Sequence, residues 1–306
     1  VAPSISTPTA EYPTKPSAAI KLALENLDLH ILFDSEYYVE HYPSVDAEFL
    51  HPFAHFCSTG AFEGKNPHPL FDISFYKVLN PGIAPKENPL AHFLRKGARE
   101  ERDPHPMFDT KYYLALNPDI EVAPKPFLHF LERGGFEGRR PHPLFDTEHY
   151  LQKVPGLLQK GENPLSHYLW HGVRLGVDPH PLFDTNFYLR NNLSLIRPGR
   201  NPVVHYLAEG AKLGLDPHPL FDTSFYLDKY PDVKSAGVNP LVHYVLVGAE
   251  EGRLPHPTFI NSAEYFQKLA PANEDRTALE AYIKKCAALN LDPCSFESLS
   301  SLPKIA

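Results

Sequence analysis

A Phe-Asp dipeptide recurs along the chain, its aspartate at Asp34, Asp72, Asp109, Asp146, Asp184 and Asp222, at intervals of 38, 37, 37, 38 and 38 residues. A fixed period of this length marks a repeat architecture: one small unit cannot bury its apolar face alone and must stack on its neighbours. Two more landmarks keep the same register. Histidines followed by an aromatic residue stand at His55, His92, His129, His167, His205 and His243, each followed five residues later by Gly60, Gly97, Gly134, Gly172, Gly210 and Gly248. Pro-His-Pro turns carry His68, His105, His142, His180, His218 and His256. Twelve of the 17 histidines therefore belong to periodic sets, which makes them parts of a unit.

The clearest copy predicts two helices per unit. Asp222 opens the first as an N-cap, its carboxylate placed to accept from free N–H groups of the first turn. Phe225 and Tyr226 follow, and Pro231 is expected to stop this helix. Asn239-Pro240 reads as the N-cap and first position of the second helix, which runs to Gly248 or slightly beyond. Phe127, Phe130, Leu131 and Gly134 fall on one face of an α-helix at i, i+3, i+4 and i+7. Leu128 widens that face, so the second helix is expected to be the more buried, with glycine letting the next element approach. No stretch alternates apolar and polar residues for long. The expectation is an all-α fold: αα-hairpins of 37 or 38 residues stacked as a tandem-repeat solenoid over residues 27–300, about seven units.

The seventh unit is degenerate. Ser262-Ala263-Glu264-Tyr265-Phe266 replaces the Asp-led aromatic segment, Leu279-Glu280-Ala281-Tyr282 replaces Leu-x-His-Tyr, and Cys286 replaces the glycine. Residues 1–26 are rich in Pro, Ser and Thr, and read as a linker or disordered lead-in. The chain begins at Val1, so a removed signal peptide stays open.

The net charge of −8 and pI near 6.1 argue against nucleic acid or an anionic membrane as partner. No apolar run is long enough for a transmembrane segment. Three scattered cysteines make neither a disulfide framework nor a Cys-x-x-Cys metal pair, which points to a reducing cytosol.

The periodic residues could be mistaken for chemistry. Two histidines and an aspartate per unit suggest a metal, but a structural role explains them better. The helix-borne imidazoles of His92, His129, His167, His205 and His243 are expected to bond a turn carbonyl or the next unit's cap aspartate. Asp72, Asp109, Asp146, Asp184 and Asp222 are expected to be N-caps. Spaced roughly 10 Å apart by stacking, they would lie too far from one another for a retaining carboxylate pair. No phosphate loop, nucleophile elbow, zinc-protease motif or EF-hand loop occurs. No catalytic residue, cofactor or metal is assigned.

Candidate partner contacts are of three kinds. Tyr37 and Tyr112 represent aromatic pairs that could stack on sugars, although packing accounts for most such rings. Arg95, Arg99 and Arg139 belong to a ridge of mixed sign near the ends of the second helices, where cations complement the helix dipole. Trp170, the one tryptophan, breaks the pattern of its unit.

The segment His-Pro-Leu-Phe-Asp-Thr-x-x-Tyr-Leu, followed by Asn-Pro-Leu-x-His-Tyr-Leu and Gly-x-x-x-Gly, resembles repeats of bacterial proteins often fused to glycosyltransferases and other surface-polysaccharide assembly proteins. The resemblance covers roughly residues 28–296. It implies an accessory module of a glycan-assembly protein whose catalytic domains lie outside the repeats. The expected role is a non-catalytic scaffold for another protein or an adjacent domain of the parent chain; the alternative is a polysaccharide-binding module. The expected compartment is the bacterial cytoplasm, including the inner face of the membrane, with secreted or periplasmic placement open.

Overall fold

The computed structural model describes residues 27–48, 51–120, 126–197, 199–262, 277–288 and 293. The N-terminal segment before residue 27 and residues 263–276 of the seventh unit lie outside the described residues. The chain divides into two compact bodies, Val1–Gly97 and Ala98–Ala306. Among the described residues each body is built from helices, with no β-strand. Helix pairs recur at regular spacing, which makes the protein an all-α repeat.

In the first body, Ser35–His41 pairs with Pro52–His55, and Ile73–Leu79 pairs with Pro89–His92. In the second, Thr110–Leu116 pairs with Pro126–His129, Thr147–Lys153 with Pro164–His167, Thr185–Asn192 with Pro202–His205, and Thr223–Lys229 with Pro240–His243. The aspartate before each first helix caps it. The carboxylate of Asp184 accepts from Phe187 N at 2.7 Å and that of Asp222 from Phe225 N at 2.8 Å. Asn163, Asn201 and Asn239 cap the second helices the same way, each with proline at the first helical position. Pro231 does more than stop its helix. The chain ends one helix at Lys229 and starts another, Pro231–Ala236, on that proline, because a missing N–H costs nothing at a helix start.

The second helices depart from the expected α-helix. After one α-turn each continues as a π-helix: Phe56–Gly60, Phe93–Gly97, Phe130–Gly134, Tyr168–Gly172, Tyr206–Gly210 and Tyr244–Gly248. The wide turn shows in bonds that span five residues, Ala211 N to Tyr206 O at 3.0 Å and Gly135 N to Phe130 O at 2.8 Å. Each closes on a residue of positive φ, Gly64, Gly138, Gly176, Gly214 or Gly252, except where Glu101 takes that place at φ 55°. A side chain is strained there.

The core of each repeat is a triangle of rings. Phe183, Tyr188 and Tyr206 are fully buried, with centroids 5.2–6.0 Å apart. Phe221, Tyr226 and Tyr244 repeat it at 5.3–6.0 Å, as do Phe71, Tyr76 and Phe93 in the first body at 5.4–5.6 Å. Each ring contributes about 1.5–3 kcal/mol by leaving water. Successive repeats are joined through the backbone: Asp146 N donates to Pro179 O, Asp184 N to Pro217 O and Asp222 N to Pro255 O, at 2.9–3.0 Å. One contact reaches further. His180, at the start of one repeat, lies 3.6 Å from the buried Glu280 of the last helix, Ala278–Ala288.

Candidate functional site

Where the sequence pointed to a turn carbonyl or the next unit's aspartate, the structure shows the Nδ1 of each helix-borne histidine against a tyrosine. Each bonds the second aromatic of the first helix in its own repeat. The Tyr hydroxyl lies 2.7–2.9 Å from Nδ1 in Tyr38–His55, Tyr76–His92, Tyr113–His129, Tyr150–His167, Tyr188–His205 and Tyr226–His243. The glycine five residues on is fitted to the same hydroxyl. A Cβ at Gly60, Gly97, Gly134, Gly210 or Gly248 would collide with it, and one at Gly172 would come within 2.7 Å of Tyr150 Oη. The glycine thus admits a hydroxyl of its own repeat, whereas the sequence suggested close approach by the next element.

This joint explains the winding. In an α-helix, residues five apart point about 140° away from each other. The i→i+5 turn brings histidine and glycine toward one face, where both touch the tyrosine. The last helix supplies an internal comparison. Where the tyrosine, histidine and glycine give way to Phe266, Ala281 and Cys286, Ala278–Ala288 is plain α-helix. It starts on a reciprocal cap instead: Thr277 N donates to Glu280 Oε2, and Glu280 N to Thr277 Oγ1.

The Pro-His-Pro histidines serve a second joint. Nδ1 accepts the N–H two residues on, from Leu70, Met107, Leu144, Leu182, Leu220 and Thr258, at 3.0–3.2 Å. A ring nitrogen that accepts carries no proton, so these rings are neutral. Burial pushes His68 down to about 4, His142 to about 3 and His218 to about 4. Burial likewise raises the hydroxyls of Tyr150, Tyr188 and Tyr226 above the ordinary phenol range. A buried phenol held protonated against the imidazole makes a clamp.

The aspartates are equally occupied. Asp72, Asp109, Asp146, Asp184 and Asp222 each accept from the backbone N–H three residues on. Burial pushes the Asp146 carboxyl up, but the His149 N–H and the Arg140 guanidinium at 3.1 Å bring it below the usual range. Among the described residues no three His, Cys, Asp or Glu side chains are grouped to hold a metal ion.

The candidate contact residues are scattered. Tyr37 is 8% exposed, its ring against His41 at 4.0 Å, which leaves little face for a sugar. Tyr112 is half-buried. Arg139 is held in a clip, donating to Glu137, Asn117 and Asp119. Arg95 is exposed and pairs with Glu87 at 3.0 Å; Arg99 is exposed. Trp170 is half-buried and stacks on His171 at 4.6 Å, with the Arg174 guanidinium on its carbonyl and on His171 Nδ1. The sequence reading missed one surface feature, the exposed leucines of the fourth and fifth repeats, although their replacement of glutamate at a fixed register position was visible in the repeats.

The clamp sets an expectation for His167→Ala. Leaving the Tyr150 hydroxyl without a partner should lower stability by about 1–3 kcal/mol, read by urea unfolding. Adding Tyr150→Phe should cost less than the sum of the single changes, since it removes the orphaned group; strict additivity would show that the pair is not coupled.

No family model matches the chain, and comparison with curated proteins and with solved structures likewise found no match.

Proposed function

We propose that the chain is a non-catalytic scaffold, an αα-solenoid of 37- or 38-residue units that presents its outer surface to another protein or to an adjacent domain of its parent chain. One observation carries this reading. The side chains able to do chemistry that recur in the six regular units, Tyr, His and Asp, are consumed by joints within and between repeats. What remains for function is surface, which stacked repeats supply. On the resemblance noted above, the setting is an accessory module of a bacterial glycan-assembly protein in the cytoplasm or at the inner face of the membrane. No helix among the described residues is long and apolar enough to cross that membrane.

Half-buried rings on first helices of the second body, Tyr112, Phe187 and Phe225, favour a second reading, in which the surface holds a polysaccharide. Calorimetric titration against a panel of bacterial surface polysaccharides separates the two. The scaffold reading expects no heat across the panel, and a specific protein captured by cross-linking. Millimolar or tighter glycan binding lost on Tyr112→Ala and Phe187→Ala would replace it with the glycan reading.

A further inference from the structure

In four repeats the end of the second helix carries a Glu-x-Lys/Arg ion pair: Glu63 with Lys65, Glu100 with Arg102 at 2.6 Å, Glu137 with Arg139 at 2.6 Å and Glu251 with Arg253 at 2.5 Å. In the fourth and fifth repeats both members are replaced together, by Leu175 and Val177 and by Leu213 and Leu215. Losing one partner would strand a charge; losing both converts the site from polar to apolar.

The result is a surface of leucines. Leu175 is 63% exposed and Leu213 59%, with Leu193 at 70% and Leu195 at 51% in the intervening loop. The positions belong to two consecutive repeats. The turn holding Leu175 rests on the helix Thr185–Asn192, through Thr185 Oγ1 to Val177 O at 3.3 Å and Asn186 Nδ2 to Gly176 O at 3.4 Å. That helix spans about 12 Å and delivers the chain to Leu193 and Leu195. In the sixth repeat Arg253 reaches both Glu251 and Asp232, and the positions equivalent to those three are Leu215, Leu213 and Ser194. Leu213 therefore sits beside the loop 193–195.

The rim is cationic. Arg174, Arg190, Arg197 and Lys212, close to these leucines along the chain, are exposed, and Arg190 and Lys212 form no ion pair among the described residues. Of the nearby carboxylates, Glu209 is held by Arg200 at 2.7 Å and further lowered by Arg197, and Asp178 and Asp216 accept from Thr185 N and Thr223 N. Between residues 153 and 216 the sequence carries seven Lys or Arg (153, 160, 174, 190, 197, 200, 212) against five Asp or Glu (162, 178, 184, 209, 216), a local +2 on a chain of −8.

We infer that this leucine patch with its basic rim on the fourth and fifth repeats docks an acidic amphipathic segment of a partner protein. The inference rests on the scaffold reading and gives it a partner chemistry. A second copy docking through the same patch would set cations against cations, and the acidity of the whole chain opposes an extended anionic plane such as a lipid surface. A short segment bearing leucines and carboxylates satisfies both halves of the patch.

The variant that tests this is written in the other repeats: Leu175→Glu with Val177→Arg, and Leu213→Glu with Leu215→Arg. It restores the ion pair found elsewhere in the chain, so folding should be retained, with a melting temperature near that of the parent. The probes are a fluorescent synthetic helix of leucine and glutamate, a leucine–lysine helix of the same length, and vesicles containing phosphatidylserine. The expected result is anisotropy binding of the Leu/Glu helix at micromolar affinity, weakened by salt and about tenfold or more weaker for the variant; the Leu/Lys helix should not bind. Absence of Leu/Glu binding, equal binding by parent and variant, or variant-sensitive binding to the vesicles instead would overturn it. A variant that still captures the cross-linked protein partner would remove this patch and leave the scaffold reading standing.

Discussion

Gly210→Ala should lower the unfolding free energy by about 3–5 kcal/mol, by overpacking the joint and stranding the polar pair it separates. The methyl group cannot sit where the Tyr188 hydroxyl now lies. The tyrosine must withdraw, and the hydroxyl and His205 Nδ1, 2.7 Å apart and buried, then lose each other. Gly210 suits the test better than Gly172, because its added Cβ would meet Tyr206 only at 3.4 Å, an ordinary contact, whereas at Gly172 the Tyr168 ring would stand at 2.8 Å. Tyr188→Phe alone should cost about 1 kcal/mol, the usual net value of one hydrogen bond. Together the two changes should be milder than Gly210→Ala alone, because phenylalanine removes the atom with which the methyl collides. Urea unfolding followed by circular dichroism reads the cycle. A double variant as unstable as the sum would detach the glycine from the tyrosine and leave the π-turn without this explanation.

The cycle also bears on what could be read from residue order. The caps were legible because an N-cap is local: Asp222 needs only Phe225 N, three residues away, and Asn239 with Pro240 announces a helix start without any tertiary partner. The all-α character and the pairing of helices followed from the same signals. The winding of the second helix was not legible. Its apolar spacing fits an α-face, and the deviation is imposed by a tyrosine sixteen or seventeen residues upstream, a contact that periodicity does not encode. One sequence signal was available, the joint disappearance of tyrosine, histidine and glycine at Phe266, Ala281 and Cys286, which groups those positions as one device. The leucine patch was hidden for a different reason. Leu175 and Leu213 look like core residues in a helical pattern; the repeats show that they replace glutamate, and their exposure shows that the position is on the surface.

Mild acid should unfold this protein, and the Pro-His-Pro turns are where the protons act. His68, His142 and His218 are neutral in the fold with pKa values near 4, 3 and 4, against about 6.5 in an unfolded chain. Between pH 6.5 and roughly 4 the unfolded state binds more protons, so stability is fully present above 6.5 and falls as the pH drops through that window. Each such histidine contributes a slope approaching 1.4 kcal/mol per pH unit once the unfolded chain is protonated; three together approach about 4. His167, His180, His205, His243 and His256 are lowered by burial too and act in the same direction. The buried carboxyls of Asp103, Asp178 and Asp216, raised by burial, act oppositely. Their burial penalty is relieved as they take up protons, which softens the lower part of the window. Urea midpoints at pH 7.5, 6 and 5 should therefore fall steeply. His142→Asn should flatten that dependence by roughly one histidine's share, since its side-chain oxygen can still accept from Leu144 N without titrating. A stability unchanged from pH 7.5 to 5, or a dependence that His142→Asn leaves intact, would mean that these rings are not held neutral. The turns would then have to be stapled by something other than the imidazole nitrogen that now receives the chain's own N–H.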